Sequence, residues 1–256
     1  MTAPEKAQAL KALHEASEIL RVVNVWDAIS ARNIAELPGT RALATAGHSI
    51  AASHGFPDGE IPLDLALSAL SRIVEATDLP VSADLDAGFG NPGEAVRQAI
   101  GVGVVGANVE DRLAPLAESV SHVEAIVRAA EQEGIAFQLN ARTDALVRGG
   151  DRPLSVSLGD AIERGRAFLD AGASLVFVPG VLDRESTERL VDGLGERRLS
   201  VIGLPGALTA AEYESLGVAR ISYGPLTQRV ALRALRDLAE DLYGDGVVPE
   251  DTPELN

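Results

Sequence analysis

At 256 residues, 46% of them apolar, the chain is long enough to bury the core of one large α/β unit, and aromatics at only 4% leave Ala, Val, Leu and Ile to fill it. A formal net charge of −16 excludes nucleic acid and anionic membrane as partners, because both demand a basic surface. The absence of cysteine excludes disulfides, thiolate zinc sites and any cysteine nucleophile or acid.

The first segment, with Glu5, Lys6, Lys11, His14 and Glu15, lacks the apolar core of a signal peptide and reads as an extra helix at about 3–17. Short apolar runs then alternate with helical patterns. The expected strands are Arg21–Trp26, Ala42–Thr45, Val81–Asp86, Gly106–Glu110, Phe137–Ala141, Ser174–Val178, Ser200–Leu204 and Arg220–Tyr223, eight in all. Leu63, Leu67, Leu70 and Val74 recur at helical spacing, as do Val120, Val123, Ile126 and Val127. Asn91-Pro92 reads as an N-cap followed by proline at the first helical position, and Thr209 with Glu212 as a capping box. Gly134, Gly172 and Gly217 each fall between a helix and the next strand, where a left-handed C-cap is usual.

Eight βα units in series imply parallel strands joined by right-handed crossovers. At this length a closed (β/α)₈ barrel is favoured over an open doubly wound sheet, as one domain over 1–256 that ends in a polar tail at 244–256. No run of about 18 apolar residues occurs, so no membrane span and a soluble, cytoplasmic protein are expected.

In such a barrel the active site lies at the C-terminal ends of the strands. There the third strand carries Ser82-Ala-Asp84-Leu-Asp86, and alternation points Asp84 and Asp86 the same way. The next strand ends Asn108-Val-Glu110-Asp111. Adjacent strands lie about 4.8 Å apart, so Asp84, Asp86 and Glu110 are expected to converge on one point. Three such carboxylates need a counter-charge. A hard divalent cation, Mg²⁺ or else Mn²⁺, suits oxygen ligands in a chain with four His and no Cys. The alternative reading makes these acids helix caps or solvated loop residues.

The fifth strand ends Asn140-Ala-Arg142-Thr-Asp144, where Arg142 is placed either to grip a substrate carboxylate or to form a structural salt bridge. The second ends Thr45-Ala46-Gly47-His48, where backbone N–H groups make a natural oxyanion site. His48 there reads as a general acid or base, or as a packing residue.

Taken together, these motifs resemble the isocitrate lyase / phosphoenolpyruvate mutase superfamily. They are Asn24-Val-Trp26-Asp27, Ala46-Gly47-His48-Ser49, Gly55-Phe-Pro-Asp58, Ala83-Asp84-Leu-Asp86-Ala-Gly88-Phe-Gly90, Val109-Glu110-Asp111 and Asn140-Ala-Arg142-Thr-Asp144. Leu204-Pro-Gly206 and Ser222-Tyr-Gly224-Pro225 complete the set, which spans about Val22 to Leu238. The resemblance implies a magnesium enzyme that stabilises a pyruvate-like enolate. It implies Asp84 as direct metal ligand, with Asp58, Asp86 and Glu110 holding the metal largely through water. By the same resemblance Ala46, Gly47 and His48 face the substrate, with N–H groups of Gly47 and His48 on the enolate oxygen. Arg142 takes the substrate carboxylate, Trp26 walls the pocket and Asp58 also borders the substrate. Homo-oligomers, dimers or tetramers, are implied too, with the last barrel helix exchanged between partners.

The sequence departs from that pattern in two places. The lid segment Asp111–Ser119 has no Cys, Lys or Gly, and Arg112 is its only cation. The run Phe177-Val-Pro-Gly180 lacks the family's histidine at the sixth strand end. Without the lid Cys, the chemistry of isocitrate and methylisocitrate lyases is not expected in the same form. A lid with Arg112 as its only cation, together with the missing histidine, disfavours chemistry at phosphorus. The expectation is therefore a Mg²⁺-dependent carbon–carbon lyase acting on a small anionic 2-oxo or 2-hydroxy acid, such as oxaloacetate or a methylisocitrate-like acid. The alternatives are a P–C bond enzyme acting on phosphonopyruvate or carboxyphosphonoenolpyruvate, a non-catalytic oxo-acid-binding barrel, and an aldolase or transferase running toward addition.

Overall fold

The computed structural model describes residues 1–244 and 246–253. The expected tail at 244–256 therefore lies partly outside the described residues. A helix, α1 (Ala3–Glu15), opens the chain; Thr2 and Glu5 form its capping box and Pro4 stands in its first turn. The strands are β1 (Leu20–Val22), β2 (Asn24–Val25), β3 (Leu43–Thr45), β4 (Val81–Asp84), β5 (Gly106–Glu110), β6 (Gln138–Arg142), β7 (Leu175–Phe177), β8 (Leu199–Ile202) and β9 (Arg220–Ser222). Between and after them run α2 (Ala28–Ala35), α3 (Gly47–Ser53), α4 (Leu63–Glu75), α5 (Pro92–Gly101) and α6 (Leu116–Gln132). The remaining helices are α7 (Leu154–Asp170), α8 (Arg184–Leu194), α9 (Ala210–Ser215) and α10 (Leu226–Tyr243).

All strand pairs are parallel, in the order β1-β9-β8-β7-β6-β5-β4-β3-β2. The two ends of that series are consecutive in the chain. β1 pairs with β9, and one residue later β2 pairs with β3. The expected first strand is thus one extended stretch that hands its pairing from one neighbour to the other at Val23, whose carbonyl accepts from Ala44 N at 3.3 Å. This closes the ring, and the fold is a (β/α)₈ barrel.

Apolar side chains of the strands and the helices that cover them build the core. Leu43, Val81, Leu85 and Leu139 are buried against Leu70, Ile73, Val96 and Ile126. The barrel interior is polar instead. Asn140 Nδ2 donates to Asn108 Oδ1 at 2.7 Å and to Ser200 Oγ at 3.1 Å, and the fully buried Arg220 donates Nη1 to Ser82 Oγ at 3.1 Å. Beneath this layer α1 buries Ala7, Leu10, Leu13 and His14.

α10 departs from the barrel pattern. Gln228 ties its first turn to α3, through Ser49 O at 3.1 Å and Ser53 Oγ at 2.9 Å, and is its one buried residue among those described. Val230 and Leu235 are 70% and 61% exposed. An apolar groove of about 590 Å³ runs between α2 and the start of α10, lined by Trp26, Ile29, Ile34, Tyr223, Leu226 and Val230 among others.

Candidate active site

A polar cavity of about 270 Å³ opens at the C-terminal ends of the strands, lined by residues from most of the strand ends around the ring. Its walls differ in charge. Asp58, Asp84 and Asp86 line it as an acidic wall, and Arg112, Arg142 and Arg148 as a basic one laced together by Glu110 and by Asp144 behind them. Arg112 also reaches toward the Asp58 loop, its Nη2 3.1 Å from where a Cβ on Gly59 would stand.

On the acidic wall, Asp84 is the last residue of β4. Its Oδ2 accepts from Gly47 N at 3.1 Å and its Oδ1 from Asp86 N at 3.3 Å, so backbone amides fix the carboxylate. Its own N–H donates to Thr45 Oγ1 at 3.0 Å. The strand stops there because Asp86 adopts left-handed backbone, φ 49°. Asp86 thus reaches the cavity through a turn, not through the strand alternation expected for it. A Cβ on Gly47 would lie 3.1 Å from Asp86 Oδ1, so a larger residue there would push this carboxylate away. Burial, and then the charges of Asp84, Asp58 and Glu110, push Asp86 up to about 7. Burial also raises Asp84, against the pull of Arg142. Asp58 stands on the loop after α3, its Oδ2 3.5 Å from Nδ1 of His48.

Glu110 lines the same cavity but faces the other wall. Register sets Asp84 opposite Asn108 and Glu110 opposite Arg142. Glu110 Oε2 meets Arg142 Nη1 at 2.8 Å, and its Oε1 accepts from Arg112 Nε at 2.8 Å. The expected convergence of Asp84, Asp86 and Glu110 on one point is therefore loosened. Among the described residues no three acidic or imidazole side chains form a closed metal cage. The residues able to hold a cation directly are those of the acidic wall, where no guanidinium lies within ion-pair distance of Asp84, Asp86 or Asp58.

Arg142 Nε donates to Asp144 Oδ1 at 2.8 Å, and its guanidinium lies 6.0 Å from the centre of the Phe177 ring. Burial opposes its charge, but Glu110, Asp144 and Asp84 together raise its pKa further. Asp144 is raised by burial although Arg142 pulls it down.

The other expected site residues divide. His48 lines the cavity mouth, with its side chain 38% exposed. Ala46 and Gly47 lie behind the lining; Ala46 is the N-cap of α3 and Gly47 its first residue. The N–H of Gly47 is engaged by Asp84, which leaves the first-turn N–H of His48 from the expected oxyanion pair. Trp26 does not line the cavity and belongs to the apolar groove beside α10. Of Ser222 and Tyr223, Ser222 faces the cavity and Tyr223 the groove. His122 lines a separate small crevice against α6.

Sequence reasoning missed Asn24, Asn108 and Arg148 as cavity residues. Asn24 Oδ1 accepts from Tyr223 N at 2.7 Å and Gly224 N at 2.9 Å, while its Nδ2 donates to Thr45 O at 2.8 Å, stapling β2, β3 and the end of β9. The signal for Arg148 was its spacing, four residues after Asp144, where an acid and a base meet across a helical turn.

A model of the phosphoenolpyruvate phosphomutase family matches residues 10–243. The chain belongs to this family. It therefore sits in the isocitrate lyase / phosphoenolpyruvate mutase superfamily, as its motifs implied. An oxaloacetate decarboxylase from Rhodopseudomonas palustris is 32% identical over 98% of this chain and 91% of its own length. A 2,3-dimethylmalate lyase from Eubacterium barkeri is 30% identical over 93% of this chain and 86% of its own. The structure of an oxaloacetate acetylhydrolase in complex with the product oxalate superposes with a TM-score of 0.86 at 28% identity, covering 97% of this chain and 89% of that one.

Proposed function

We propose that this family member is a Mg²⁺-dependent carbon–carbon lyase that cleaves a small 2-oxo or 2-hydroxy carboxylic acid through a pyruvate-like enolate. The observation that carries this reading is the cavity divided into an acidic and a basic wall. An acidic wall with no guanidinium in ion-pair distance among the described residues, where burial and then the neighbouring acids raise Asp86 to about 7, suits a cation. A basic wall with Arg142 held by two carboxylates suits an anion. Relatives named for oxaloacetate and dimethylmalate support a small acid of this kind.

The donor set fits magnesium. It consists of oxygen atoms, and Mg²⁺ retains several of its waters when bound, so the ion needs few direct protein ligands. Among the described residues no three acidic or imidazole side chains are placed to hold an ion by themselves. Asp84 would hold the ion most directly, with Asp86, Asp58 and Glu110 around it. When bound, it supplies Lewis acidity toward the 2-oxygen of the acid.

The chain's own residues do the rest. Arg142, fixed by Glu110 and Asp144, orients the carboxylate bonded to the carbon that carries the 2-oxygen. The N–H of His48 faces the oxygen on which charge develops. The His48 ring, at the mouth beside Asp58, holds the proton for the enolate carbon. The cavity is small for a ligand site, and its bordering Arg112 and Phe177 limit entry to short acids.

Exposed Val230, Leu232 and Leu235 on α10, beside an open apolar groove, support a homo-oligomer in which this helix is covered by a second copy.

A panel of 2-oxo, 2-hydroxy and phosphono acids with Mg²⁺, read in parallel for pyruvate and for phosphorus NMR shifts, tests the function. Pyruvate-like products from the carbon acids support it. Turnover restricted to the phosphono acids replaces it with P–C chemistry.

A further inference from the structure

Arg148 stands on the basic wall of the cavity, and neither the expected site nor the mechanism above uses it. Its Nε donates to Asp144 Oδ2 at 3.0 Å. The other oxygen of that carboxylate, Oδ1, accepts from Arg142 Nε at 2.8 Å. One buried acid therefore sets two guanidiniums side by side. Arg142 is engaged a second time by Glu110, whereas among the described residues the two terminal nitrogens of Arg148 have no protein acceptor. Its side chain is 52% exposed, toward the cavity mouth.

The loop that presents Arg148 is pinned. Arg148 N donates to Asp144 O at 2.8 Å, closing a single turn. Arg152 then ties the turn down, with Nη2 on Ala145 O at 3.0 Å, Nε on Gly149 O at 3.1 Å and Nη1 on Asp160 Oδ2 at 2.8 Å. A Cβ on Gly149 would lie 2.6 Å from Ala145 O and 2.8 Å from Ser157 Oγ, so the turn packs this tightly only with glycine there. The guanidinium is thus pre-organised, and a fixed planar fork with free N–H groups matches an incoming carboxylate.

We propose that Arg148 binds a second acid group of the substrate, so that the enzyme selects dicarboxylic over monocarboxylic acids. The proposal rests on the reading of the cavity as a 2-oxo or 2-hydroxy acid site. It adds that the carboxylate beside the 2-oxygen lies on Arg142 while the distal one lies on Arg148. Arg148 is then a specificity-determining residue, and Arg142 the residue common to every acid ligand.

Two probes separate these roles by titration calorimetry on the full chain with Mg²⁺. Oxalate, whose two carboxylates are bonded directly to each other, is too short to reach beyond the Arg142 subsite, whereas malate carries its second carboxylate two carbons away. Arg148→Gln is expected to weaken malate about 10- to 100-fold, the range for loss of a hydrogen bond to a charged group. Oxalate affinity should stay within about twofold of wild type, as for a mutation outside its contacts. Malate binding unchanged in Arg148→Gln overturns the proposal, as does a wild-type protein that takes oxalate but not malate. Equal weakening of both probes overturns it too, because Arg148 would then act only by propping Arg142 through Asp144. If wild type binds neither probe, the oxo-acid reading of the cavity falls and the proposal falls with it.

Discussion

Glu110 and Arg142 are partners twice over: the register of β5 and β6 sets them side by side, and their side chains join at 2.8 Å. This pair divides the cavity. It engages Glu110 with the guanidiniums; on the proposed reading this carboxylate supports anion binding, while Asp84 and Asp86 are left for a cation.

The carboxylates should therefore separate by experiment. Asp84→Ala is expected to abolish Mg²⁺ binding and turnover with the fold intact by circular dichroism. Asp86→Ala should lower metal affinity by on the order of 10–100-fold, as expected for an outer ligand. Glu110→Gln should weaken oxalate more than Mg²⁺ in calorimetry, because it frees Arg142. Wild-type turnover in Asp84→Ala would contradict the assignment.

His48 and His122 make a second contrast. His48 lines the cavity and His122 a crevice on the far side of β5. His48→Ala is expected to slow kcat by about 100-fold or more, the usual range for lost general acid–base help. His122→Ala should leave kcat near wild type. A His48→Ala enzyme that keeps kcat and only raises KM would make His48 a pocket wall and water the proton donor.

Assembly is tested at α10. Light scattering at micromolar concentration should show a homo-oligomer. Val230→Asp with Leu235→Asp should dissociate it, because Val230 lines the apolar groove and Leu235 stands exposed further along the same helix. A wild-type monomer would remove the claim.

His14 gives a stability prediction outside the active site. It is buried beneath the barrel with both ring nitrogens unpartnered. Burial, and then the charge of Arg220, lower its pKa from 6.5 to about 3. The unfolded chain takes up this proton below pH 6.5 and the folded one does not, so stability is full above that pH and falls as pH drops toward 3. By pH 5 the loss from this one group is about 2 kcal/mol. Chemical denaturation at pH 7.5 and pH 5 should show a smaller drop for His14→Leu than for wild type. Equal drops would mean that His14 is protonated in the folded state.

Much of this was legible in the sequence. Period and caps located the barrel units: Asn91 and Thr209 cap their helices as expected, and Gly134, Gly172 and Gly217 take left-handed backbone. Alternation placed Arg142 on one face with Asn140, and the structure sets it at the end of β6 beside Glu110. What escaped depended on register and on loop geometry. Alternation assigns a face but not a level: Asp84 stands opposite Asn108, whereas Glu110 stands one step higher, beside Asp86 and Arg142. Trp26 follows β2 and turns outward into the groove, which only the closure of the ring at Val23 reveals. Arg148 sits in a connector whose shape is set by Arg152, Asp160 and Gly149, contacts that no local pattern announces.

The central claim is carbon–carbon cleavage that depends on a metal held at Asp84. It is tested most directly by pyruvate release from oxaloacetate, measured for wild type and Asp84→Ala, each with Mg²⁺ and with EDTA, against the spontaneous rate in the same buffers. The account predicts enzyme-dependent pyruvate for wild type with Mg²⁺ alone, and the spontaneous rate in the other three conditions. Pyruvate release by wild type in EDTA, or by Asp84→Ala at the wild-type rate, would contradict it.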